Sequence, residues 1–139
     1  MVSRRKGRRL AVQALYSYDV GGADPESLLQ FSWYTPVDSD EGLDFPRLLV
    51  QGALENLSII DETISRHLEH WNMDRLSRVD LAILRMSAYC LLFQPAIPAH
   101  VTIDEAVELA KELSTEEAFR FVNGVLDGVR RQLQEPGAR

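Results

Sequence analysis

Apolar residues recur at spacings of three and four along nearly the whole chain, and strict alternation is almost absent. That pattern predicts helices and no sheet. The first helix runs from about Ser3 to Asp19 and ends near Gly21-Gly22, with Ala11, Ala14, Leu15 and Tyr18 as its inward stripe. A short second helix starts with Asp24 as N-cap and Pro25 in its first turn, and carries Leu28, Leu29 and Phe31. Tyr34 to Leu43 reads as a loop holding Pro36, Gly42, Asp38, Asp40 and Glu41. A long third helix follows Asp44, tolerating Pro46 in its first turn. Leu49, Ala53, Leu57, Ile60, Ile64, Leu68 and Trp71 bury one of its faces for many turns.

Past Trp71 the pattern restarts. Ser77 caps a helix, with Asp80 three residues on. That helix is apolar nearly all round, from Val79 to Phe93, and is therefore expected to be the central one. Pro95 stops it and Pro98 stiffens the next loop. Two capping boxes follow. Thr102-Ile103-Asp104-Glu105 opens a helix with Ala106, Val107, Ala110 and Leu113 inward. Ser114-Thr115-Glu116-Glu117 opens the last helix, whose core side is Ala118, Val122, Val125, Leu126, Val129 and Leu133. The tail Glu135–Arg139 is expected to fray. The fold class is all-α, a bundle of about seven helices. Its two halves, residues 1–71 and 72–139, meet near Trp71 and form one compact unit.

Composition adds limits. A length of 139 residues fits one domain or two small subdomains sharing a core. No apolar run reaches the roughly 18–20 residues that span a bilayer. Gln13, Tyr16, Ser17 and Asp19 interrupt any signal core. The cytoplasm is the expected location. The single Cys90 lies in an apolar stretch, where it reads as small core filler.

Charge changes the picture most. Arg4, Arg5, Lys6, Arg8 and Arg9 open a chain that carries 15 basic and 21 acidic residues. Without those five, ten basic residues face the same 21 acids. An acidic body repels polyanions, so the basic run marks a local contact. The run continues into the first helix. At about 100° per residue, Arg5, Arg9, Val12 and Tyr16 share a stripe, with Arg8 beside it. Cations hold phosphates and an aromatic face stacks an unpaired base, so this face fits RNA. A basic tail leading into an ordinary core helix, with Tyr16 half-buried, fits the same residues.

Catalytic patterns are missing. His67, His70 and His100 have no HExxH spacing and no sequence-near Cys or further His to complete a metal set. No metal or cofactor is expected. Nucleophile elbows and phosphate loops are absent, and Cys90 sits mid-helix among apolar neighbours. A binding protein is the better class. In the last helix Phe121 lies at the edge of the buried stripe, with Glu117 one turn before it, Arg120 beside it, and Gly124 and Gly128 following. Each glycine costs a helix about 1 kcal/mol against Ala. They either open the surface to another chain or admit a neighbouring helix. Spacing alone favours packing for Phe121.

Four segments in order resemble the bacterial NusB family of transcription antitermination factors. They are Ala11–Tyr16, Val79–Arg85, Ile103–Lys111 and Phe121–Asp127. The resemblance spans nearly the full length, strongest from Leu76 to Leu133 and weakest from Gly21 to Phe45. It implies two packed three-helix bundles. It implies binding of boxA-type single-stranded RNA, chiefly in ribosomal RNA transcripts, together with the small-subunit ribosomal protein NusE. It also implies a larger complex with NusA, NusG and RNA polymerase, and no enzymatic activity. Carried over by position, the RNA-binding residues are Arg4, Arg5, Lys6, Arg8, Tyr16, Glu117, Arg120 and Phe121. The basic run adds Arg9, which stands where some relatives have an acid. The NusE-facing surface falls around Asp80 and Leu84. Leu113 stands where some members have an aromatic. For Phe121 the resemblance favours RNA contact over packing.

Two rival functions remain at this stage. Domains of this type also resemble the N-terminal part of some RNA cytosine methyltransferases, which makes an accessory module for a separate enzyme the first rival. A purely structural dimerisation protein with an incidental basic run is the second. Family members include monomers and homodimers, and no motif decides between them here.

Overall fold

The computed structural model describes residues 2–34, 42–69 and 72–134. Among them are seven α-helices and no strand: α1 (Arg4–Gly21), α2 (Pro25–Leu28), α3 (Asp44–Glu55), α4 (Leu57–Ser65), α5 (Arg78–Phe93), α6 (Ala99–Leu113) and α7 (Ala118–Gln134). A single 3-10 turn, Met73–Arg75, precedes α5. The expectations that fall on His70, on Trp71 as the junction of the halves, on the acids Asp38, Asp40 and Glu41, and on the tail lie outside the described residues.

The apolar pattern of α5 has the expected consequence. It packs against α1, α3 and α4 on one side and α6 and α7 on the other. Leu81, Ile83, Leu84, Met86 and Ala88 are buried at its centre. Ser77 caps it, the side-chain oxygen accepting from the Asp80 N–H at 3.2 Å. Beyond its first turn, which holds Arg78 and Asp80, this helix carries one charged residue, Arg85. Arg85 donates from Nε and Nη2 to the two oxygens of Asp61, both at 2.9 Å, and its Nη1 lies 3.8 Å from Asp19. Arg78 also reaches Asp19, at 3.2 Å. These ion pairs tie α1 and α4 to α5, and fixed bidentate geometry is what makes a poorly hydrated pair hold.

Three helix boundaries differ from expectation. The long third helix is two. Asn56 breaks it at φ −120°, because its side-chain amide donates to the Gly52 carbonyl at 2.8 Å and competes with the backbone ladder. Thr102 does not open a helix. α6 begins at Ala99, and the Pro98 carbonyl accepts from the N–H groups of Val101 and Thr102, so Thr102 lies inside and buried. Ser114 closes α6 rather than opening α7, and the first residue of α7 is Ala118. A Ser/Thr-x-x-Glu pattern inside a helix looks the same in sequence as one at its start. Only the chain's path separates them.

Candidate RNA-binding surface

α1 is anchored at both ends. The Ser3 side-chain oxygen accepts from the Lys6 N–H at 3.0 Å, and Gly22, at φ +63°, closes the helix with a hydrogen bond to the Ser17 carbonyl. The basic run is therefore a helix from Arg4 onward. Leu10, Ala11, Val12, Ala14 and Leu15 are buried. Arg5, Gln13 and Tyr16 face solvent, with Arg9 part-exposed between them.

Every cation of the run already has a partner within the chain. Arg5 forms a two-point ion pair with Glu105 of α6, Nε to Oε2 at 3.2 Å and Nη2 to Oε1 at 3.3 Å. Hydrogen bonding and attraction to Glu105 raise its pKa, so its charge is permanent. Arg9 pairs with Glu112, two turns further along α6. Arg4 lies over the Phe45 ring at 4.2 Å and Arg8 over the same ring at 5.3 Å. Lys6 sits 5.4 Å from the Tyr34 ring. Gly7 favours the shared ring: a Cβ there would fall 3.0 Å from Phe45 Cδ2 and 3.2 Å from Pro46 Cδ, so any larger residue would push α3 back by a few tenths of an ångström.

One member of the expected stripe, and the arginine beside it, turn inward. Val12 is core. Arg8 is 5% exposed. Burial pulls its pKa down, countered by Cys90 and Glu105 and reinforced by Arg4 and Arg5. It stays charged but is withdrawn from the open face. A helical wheel gives a side chain's angle and not its neighbours.

Beside Tyr16, 39% exposed, a shallow groove of about 290 Å³ is lined by Val12, Gln13, Ser17, Val79 and Leu113. A second cleft, about 370 Å³, lies next to it. Its lining includes Arg75, Ser77, Asp80, Thr115, Glu117 and Phe121. The two adjoin through Val79-Asp80 of α5 and the Leu113–Thr115 turn. Tyr16 and Phe121, over a hundred residues apart, thus stand at the same end of the molecule. Phe121 is half-buried, and Gly124 beyond it has open space around the missing Cβ. Gly128 is different: a Cβ there would lie 2.6 Å from His67 Nδ1. The two expectations for these glycines thus divide, Gly124 opening the surface and Gly128 admitting a neighbour from the same chain. Arg120 is exposed, its guanidinium 5.6 Å from the Phe119 ring.

Asp80 and Leu84 part company. Leu84 is fully buried, and its place is in the core rather than on a partner-facing surface. Asp80 is 8% exposed, and its Oδ1 has no hydrogen-bond partner. Burial raises its carboxyl above the ordinary 3.8, and the Ser114 side chain pulls it partly back. Asp80 is among the residues that line the Phe121 cleft, but its Oδ1 is itself shut off from solvent.

No group of three or more His, Cys, Asp or Glu side chains is placed to hold a metal ion among the described residues. Burial pushes the Cys90 thiol up to about 11, which suits filler and not a nucleophile. His67 packs on Gly128 with Nε2 2.8 Å from Gln132 Oε1. No helix among the described residues is long and apolar enough to cross a membrane.

Comparison with known proteins gives one answer. A transcription antitermination protein NusB of Treponema pallidum is 52% identical over 130 residues, covering 92% of each chain. One from Bacillus licheniformis is 42% identical over 96% of this chain and 100% of its own. Among solved structures, a T. maritima NusB superposes with a TM-score of 0.83 at 39% identity, covering 93% of this chain and 91% of that one. A complex of the antitermination factors NusB and NusE with dsRNA matches with a TM-score of 0.83 at 28% identity, covering 92% and 96%. The NusB family model matches residues 5–131, and this helical chain belongs to the NusB family.

Proposed function

We propose that this protein is an RNA-binding antitermination factor that works by assembly, without making or breaking a bond. It binds boxA-type RNA together with NusE, and the pair joins NusA, NusG and RNA polymerase in a complex that resists termination. The observation that carries the RNA reading is the exposed Tyr16 on the cationic face of α1, beside a groove whose lining residues Val79 and Leu113 are chain neighbours of the Phe121 cleft. Arg4, Arg5, Lys6 and Arg9 hold phosphates. Tyr16 and Phe121 take unpaired bases, with Glu117 and Arg120 at the rim of the Phe121 cleft. Arg8 supports Phe45 from beneath instead of reaching RNA. NusE, a basic ribosomal protein, meets the acidic body around Asp80. A relative solved with NusE and dsRNA supports RNA and NusE as the partners.

The test is RNA binding by this chain, with and without NusE, to a boxA-like strand and a scrambled one. The expected result is preference for the boxA-like strand, increased by NusE. With four cations on single-stranded RNA, the log–log salt slope is expected to be no steeper than about −2.8. Equal affinity for both strands, or a slope near zero, overturns the reading.

A further inference from the structure

Trp33 lies next to the same face. It is 44% exposed, large for an indole. Its Nε1–H donates to Gln13 Oε1 at 3.1 Å. Gln13 stands on the solvent side of α1, one turn beyond Arg9 and one turn before Tyr16. From behind, the buried Phe31 ring supports the indole, with centroids 5.1 Å apart and planes tilted by 54°. Phe31 has φ +50°, a left-handed conformation that a bulky side chain rarely adopts. That turn sends the Phe31 side chain into the core while Trp33 stays outside. The indole is thus held on two sides, by a hydrogen bond and by a ring, with one face left to solvent.

Covering Phe31 explains the contact with Phe31, but it does not explain the tie to Gln13. A ring fixed in advance loses little freedom when a flat ligand settles on it. Its surroundings choose the ligand. Lys6, 5.4 Å from the Tyr34 ring, borders this side of α1, and Arg5 and Arg9 border the other. Such a setting favours a polyanion with flat, unpaired bases over a basic protein. We infer that Trp33 is a third base-stacking residue, seating an unpaired RNA base at the edge of α1 opposite α6. This rests on the RNA reading of α1. It widens the track from a line along one helix to a strip bounded by α6 and by the segment after α2.

The experiment titrates the full chain with a short unstructured single-stranded RNA and with a duplex of the same length. It compares the wild-type protein with Trp33→Leu, Trp33→Phe and Tyr16→Ala. Leucine still covers Phe31 but cannot stack, so Trp33→Leu is expected to weaken single-strand binding roughly tenfold with the salt slope unchanged. Phenylalanine keeps a stacking face and should lose no more than about threefold. Saturating RNA should quench the wild-type indole emission, and that quenching should vanish in Trp33→Phe. The fluorescence readout keeps the test decisive even where Trp33→Leu folds poorly. Wild-type affinity in Trp33→Leu, or no quenching in the wild type, overturns the inference while a weakened Tyr16→Ala leaves the RNA reading standing. If Tyr16→Ala also binds normally, the RNA reading of α1 fails instead.

Discussion

The two halves of the proposed RNA surface are built on opposite terms. On α1 the charges are abundant, and all are engaged within the chain: Arg5 and Arg9 by carboxylates of α6, Arg4 and Arg8 by Phe45, and Lys6 beside Tyr34. At the start of α7 the situation is reversed. Phe121 borders a cleft containing a carboxylate oxygen with no partner, beside a glycine with open space around it. RNA arriving at α1 must exchange phosphates for carboxylates already in place, so the net gain there is smaller than the charge count implies. A ligand arriving at α7 fills something unfilled. Charge on α1 supplies attraction and salt dependence, and shape at α7 supplies selection.

The largest expected effect tests the α1 side. Replacing Arg5 and Arg9 together by Ala should weaken RNA binding on the order of 100-fold at low salt and make the log–log slope shallower by about 1.4. Binding measured across a salt series checks both numbers. Phe121→Ala should cost roughly tenfold and leave the slope alone, because stacking releases no counterions. If it changed the slope as well, the division of labour between charge and shape would be wrong. The exchange on α1 predicts an effect of opposite sign. Glu112→Gln frees Arg9 and should strengthen RNA binding about two- to threefold, the scale of an exposed ion pair, while weakening discrimination between strands. A loss of affinity would mean that Glu112 positions Arg9 for RNA instead of competing for it.

The smallest effect concerns the carboxylate in the cleft. Burial raises the Asp80 carboxyl, so the folded protein binds that proton more tightly than the unfolded chain does. Its favourable contribution is complete below the ordinary value near 3.8 and is lost as pH rises through the raised one. Asp80→Asn should therefore flatten the loss of stability as pH rises above the ordinary value near 3.8, and a series of melting curves at rising pH measures it. An unchanged slope would mean that the cleft already satisfies the carboxylate.

Helix content was legible because apolar periodicity is a local property, and each segment carried it without help from its neighbours. The centrality of α5 followed for the same reason: apolar residues on all sides have nowhere else to go. The break at Asn56 and the true starts of α6 and α7 were not legible. An Asn can bond forward or back, and a capping box reads the same wherever the helix begins. The basic run and Tyr16 were visible as one face. The withdrawal of Arg8 was hidden, since it depends on Phe45 meeting Gly7 across 38 residues of sequence. Glu105 and Glu112 looked like solvated helix acids until α6 was laid beside α1.

By itself the sequence determined an all-helical chain, an acidic body with one basic helix, and the family to which the motifs point. The tertiary structure alone decided which cations are exposed, which carboxylates oppose them, and that Trp33 is tied to α1 through Gln13. The physical reason is range. Helix formation answers to residues three and four apart. A binding surface is made by contacts between helices that the sequence keeps far from one another.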